Sequence, residues 1–68
     1  MDLANIFSYH APKEGQAMKY ETLRSAALEF AKEIVALTPA GADQTAAIRK
    51  VREAVMTANA AIALDGKL

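Results

Sequence analysis

Leu37-Thr38-Pro39-Ala40-Gly41-Ala42-Asp43 separates two stretches of helical pattern and so decides the fold. Pro39 disfavours the α conformation at Thr38, and Gly41 tolerates any turn. One helix must end there, and the next begins near Ala42 or Asp43, with Asp43 in or just before its first turn. Upstream, Tyr20, Leu23, Ala27, Phe30, Ile34 and Leu37 recur at alternating spacings of three and four. That is the seam of a helix facing one partner helix. Downstream, Ile48, Val51, Val55, Ala58 and Ile62 repeat the pattern until Asp65-Gly66 stops it, with Gly66 as the left-handed cap. Two seams joined by a short connection predict an all-α fold, an antiparallel helical hairpin.

A short helical arm precedes the hairpin. Asp2 can cap a turn through Leu3, Ala4, Asn5, Ile6 and Phe7. Pro12 then holds Ala11 extended and bends the chain. Pro12 or Lys13 is a natural first helical residue, with Glu14 complementing the dipole, although Gly15 weakens that turn and can shift the start later. A second apolar set lies off the seams: Ala26 and Val35, then Ala47, Ala54, Met56, Ala60, Ala61 and Leu64. Small residues allow close backbone approach, so a further helix is expected against this face.

Size sharpens that expectation. The chain has 68 residues, of which 53% are hydrophobic, more than a two-helix monomer can hide. It has no cysteine and a single histidine, which argues against disulfides and a structural zinc site. A single domain over residues 1–68, without cofactor and assembled into a homo-oligomer, is the reading that buries the apolar residues. Eight basic and eight acidic residues balance, and neither helix carries a basic stripe, which argues against duplex nucleic acid. The uncharged run from Ala54 to Leu64 is too short and alanine-rich to span a bilayer, so no membrane association is expected.

The core leaves some residues over. Phe7, Tyr9, His10, Pro12 and Lys13 cluster ahead of the hairpin, and Tyr20 and Arg24 lie one turn apart on the first helix. Aromatic rings beside cations suit a flat, anionic, base-containing ligand. The plainer alternatives stay open: Phe7 and Tyr9 pin the arm over the core, Tyr20 is a core aromatic, and Arg24 pairs with Glu21 or Glu29. Asn59, polar within an alanine-rich stretch, reads as a buried hydrogen bond that fixes register or ties down the arm. No nucleophile has a convincing base and orienting group, and no glycine-rich phosphate loop is present, so an enzyme is not expected.

These residues also resemble a known family. Phe7-Ser8-Tyr9-His10-Ala11-Pro12, Gln16, Tyr20 with Leu23-Arg24, and Arg52-Glu53-Ala54-Val55-Met56 with Ala58-Asn59-Ala60-Ala61-Ile62-Ala63 are similar to the anti-CBASS cyclic-nucleotide sponges of phages. That family shares a helical-hairpin domain with the sponges that counter Thoeris defence. The resemblance implies a compact homohexamer in the cytoplasm of the infected bacterial host. It would capture cyclic dinucleotides such as cGAMP, and in many members cyclic trinucleotides at separate pockets, without cleaving them. Sequestering the messenger keeps the CBASS effector from being activated. By motif position, Tyr9 takes the role of the tyrosine that stacks on a base, and Arg24 that of the cation that contacts phosphate. A family lysine is common at the latter position, and arginine keeps the charge. The expected ligand-binding set is therefore Tyr9, His10, Pro12, Lys13, Tyr20 and Arg24. The alternative is a non-enzymatic docking or assembly module acting through protein–protein contacts. A small transcription regulator is disfavoured by the charge balance.

Overall fold

The turn at Thr38 to Gly41 forms as its residues require. In a computed structural model, which describes residues 3–8 and 11–65, the helices are α1 (Leu3–Ile6), α2 (Gln16–Leu37) and α3 (Ala42–Ala63). No strand occurs among the described residues, and α2 and α3 pack against each other as a hairpin. Thr38 is extended (φ −120°, ψ 151°), as a residue before proline should be. Its N–H and its hydroxyl both donate to the Ile34 carbonyl, at 3.1 and 2.6 Å. Gln44 reaches back across the turn and donates from Nε2 to the Thr38 carbonyl at 3.1 Å and to its hydroxyl at 3.2 Å. Gly41 (φ 161°) is simply extended, so its glycine freedom is not what makes the turn. Asp43 lies in the first turn of α3.

Helix α2 starts at the later position that Gly15 permits. Pro12 and Lys13 precede α2 rather than open it, because Glu14 and Gly15 form a turn and Gly15 is left-handed at φ 82°. A helix cannot propagate through that residue, so α2 starts at Gln16. At the end of α3 the left-handed residue is Asp65 (φ 53°), which aspartate tolerates through its short polar side chain. Gly66, the expected cap, lies outside the described residues, as does Asp2. The arm forms its turn, with the Phe7 N–H donating to the Leu3 carbonyl at 3.1 Å. Phe7 is 84% exposed and pins nothing.

The seams largely hold. Tyr20, Leu23, Ala27 and Ile34 on α2 meet Ile48, Val51, Val55, Ala58 and Ile62 on α3, all half-buried. Phe30 and Leu37 are instead 59% and 77% exposed. At about 100° per residue they sit roughly 60–80° off the midline of that face, and Ala31 takes the intervening place. From the second apolar set, Ala47 and Leu64 are half-buried, while Ala26, Val35, Ala54, Met56, Ala60 and Ala61 are exposed.

Among the described residues none is fully buried. The chain exposes 5523 Å², against roughly 4,200 Å² for a compact monomer of its 7.3 kDa. Its radius of gyration is 14.7 Å, against about 11 Å for a compact fold of this length. The excess surface alone exceeds one partner's share of a standard interface, about 800 Å². No described helix is long and apolar enough to cross a membrane.

Replacing Ala58 tests the packing of the hairpin. Ala58→Arg forces a long cation into the contact with α2 and should lower stability by roughly 1–3 kcal/mol. Ala40→Arg, at the exposed turn, should be neutral. Urea midpoints of the two variants measure the difference, and equal midpoints would show that the seam contributes nothing at Ala58.

Candidate functional site

Antiparallel packing brings the start of α2 to the end of α3, and Gln16 joins them. Its Oε1 accepts from the Lys13 N–H at 2.8 Å, while its own N–H donates to the Lys13 carbonyl at 3.0 Å. Its Nε2 crosses to the Ile62 carbonyl at 3.1 Å. One side chain thus closes the bend after Pro12 and staples it to the other helix. The Ile62 carbonyl also accepts from the Asp65 N–H at 3.2 Å, so the side chain joins the bend to a carbonyl that already closes the end of α3.

Beside this staple runs an open groove lined by Pro12, Ala17, Tyr20, Glu21, Arg24, Asn59, Ala60 and Ala63. Its volume of about 590 Å³ is that of a small-molecule site. Pro12, Tyr20 and Arg24, three of the expected ligand residues, are brought together here. Lys13 is exposed and does not line the groove, its main chain being engaged by Gln16. Tyr9 and His10 lie outside the described residues, immediately before the Ala11-Pro12 segment that enters the groove wall.

Tyr20 is half-buried and belongs to both the seam and the groove, so the two readings of it are not exclusive. Arg24 is exposed and makes no ion pair with Glu21 or Glu29. Among the described residues the ion pair is Lys32 with Glu29, at 3.2 Å. Such an exposed pair contributes about 0.3–0.5 kcal/mol. Asn59 is half-buried, and its Oδ1 is buried without a hydrogen-bond partner, so it does not tie down the arm. Gln16 holds the bend at Lys13 instead, and among the described residues α1 makes no contact with α2 or α3. Glu21 and Ala17 join the site because they flank the Tyr20–Arg24 strip at helical spacing, a signal present in the sequence but not used. The α3 residues Ala60 and Ala63 follow only from the register of the hairpin.

The two sides of the hairpin differ. One carries a wide apolar groove with Leu23, Ala26, Phe30, Ala47, Ala54 and Ala58 in its walls. The other carries a shallower apolar strip that includes Leu28, Ala31, Ile48 and Met56. Arg24 borders that strip and the site groove alike, so the site lies on the side away from the wide groove.

This geometry defines a helical-hairpin domain with a largely apolar groove, bordered by Glu21, Arg24 and Asn59, at the end where its helices are stapled. The family described as Acb2/Tad1, hairpin domain, matches residues 2–63, and the chain belongs to that family of anti-CBASS and anti-Thoeris sponges. No curated protein and no solved structure matches the chain. The family is one of binding domains rather than a known enzyme family.

Gln16→Ala removes the staple with little effect on helix propensity. It should lower stability by roughly 1–2 kcal/mol, the sum expected for a lost cap and one cross-helix bond. Limited trypsin digestion followed by mass spectrometry should show faster cleavage after Lys13 than in the parent. Unchanged cleavage at that bond would show that the segment is held by other contacts.

Proposed function

We propose that residues 1–68 act as one domain that binds and sequesters cyclic oligonucleotide messengers without cleaving them. Cyclic dinucleotides such as cGAMP are the principal ligands, and cyclic trinucleotides extend the range. The observation that carries this reading is the groove itself: an aromatic ring, a proline and a guanidinium without an acidic partner at one end of a hairpin of this family. Guanidinium meets phosphate through two parallel hydrogen bonds, and an aromatic face accepts any base. Tyr9 supplies the main stacking ring, with His10, Pro12 and Tyr20 completing the site around Arg24 and Lys13 adding positive charge from outside the groove. Withholding the messenger from the CBASS effector, in the cytoplasm of the infected host, is then a matter of stoichiometry and affinity.

The assembly we propose is a homohexamer. Two separate apolar faces support two different contacts per chain, as an assembly with both a two-fold and a three-fold axis requires. Because the site lies away from the wide groove, a second copy can cover the latter without obstructing the former.

Light scattering should give a mass near six times that of the chain. A stable folded species of 7.3 kDa would overturn the assembly.

Calorimetric titration with cyclic di- and trinucleotides tests the binding. Tyr9→Ala and Arg24→Ala should each weaken dinucleotide binding by roughly 5- to 150-fold, at unchanged oligomer mass. Ligand recovered after denaturation should be intact. Parent protein that binds no cyclic nucleotide would overturn the sponge reading in favour of a docking module.

A further inference from the structure

We infer that Glu21 selects the base, its carboxylate reading the Watson–Crick edge of a guanine in the bound ring; this rests on the sponge reading above. Glu21 lines the same groove as Tyr20 and Arg24. Glutamate and arginine three residues apart on a helix commonly pair, yet these two make no bond to each other or to another described residue. Both side chains are therefore available to a ligand. A carboxylate beside an anionic ligand is unfavourable unless the ligand offers it donors. Asn59 lines the same groove as a further polar residue opposite Glu21 and Arg24.

A cyclic dinucleotide carries N–H donors only on its bases. Guanine places N1–H and the N2 amino group side by side, which matches the two oxygens of a carboxylate. Adenine presents its N6 amino group next to the N1 lone pair, and cytosine its N4 amino group next to N3, so each repels one carboxylate oxygen. Uracil offers a single N3–H between two carbonyls. Guanine alone satisfies Glu21 fully. A glutamine at this position would present one acceptor and one donor, the complement of adenine.

The test compares affinities for cyclic di-GMP and cyclic di-AMP in the parent, Glu21→Gln and Arg24→Ala. A bidentate base contact corresponds to roughly 5- to 150-fold discrimination. The parent should favour cyclic di-GMP by a factor in that range. Glu21→Gln should erase or reverse the preference with unchanged helix content, chiefly by losing guanine affinity. Arg24→Ala should weaken both ligands alike and leave their ratio unaltered. A parent that binds both ligands equally overturns the inference and leaves the sponge reading intact. So does a Glu21→Gln variant that weakens both to the same degree, the result expected if Glu21 meets a sugar hydroxyl. Failure of the parent to bind either ligand overturns both readings.

Discussion

A layer of two helices cannot enclose a side chain, and most features of this molecule follow from that limit. Each seam residue of α2 touches α3 on one flank and meets solvent on another, so half-burial is the most that packing achieves. Burial of apolar area is the main favourable contribution to folding, and a single hairpin realises little of it. The same limit lets Tyr20 contribute to the core with one part of its ring and to the groove with another. In a larger domain those roles would fall to different residues.

Stiffness at the stapled end then comes from polar bonds rather than from enclosure. Gln16 satisfies three main-chain groups at once, on its own segment and on α3. Gln44 does comparable work at the other end by gripping Thr38. Two glutamines therefore tie down the two ends of a hairpin whose middle is held by small and β-branched apolar contacts. Because the Ile62 carbonyl is near the end of α3, a bond there constrains the bend, and the bend in turn carries Pro12 into the groove wall.

How far the sequence disclosed this depends on the residue. The hairpin, its turn and the α3 seam were readable because proline and strict three–four spacing act locally. Phe30 misled because a seven-residue repeat and a 3.6-residue helix drift apart, and an aromatic ring looks like core wherever the repeat places it. The beginning of α2 depended on one glycine adopting a left-handed backbone, a choice that composition cannot settle. On the site, Pro12, Tyr20 and Arg24 were found from chemistry that the seam did not explain. Asn59 was noticed but given a structural bond, and Glu21 was considered only as an ion-pair partner for Arg24. Their place beside Arg24 depends on which α3 residues face the first turns of α2, a property of register rather than of any local motif. The family match covers the same span that the motifs had pointed to.

The position of the turn has a practical corollary. Helix α2 is 22 residues long and the groove occupies its first turns, so at 1.5 Å per residue Thr38–Gly41 lies roughly 20–30 Å from the groove. Residues 11 and 65, by contrast, both lie at the groove end of the hairpin. A bulky label attached at either of those two residues would crowd the groove it was meant to report on. A dye or short peptide grafted at Ala40 would sit at the remote pole, on an exposed loop that has no neighbour to displace.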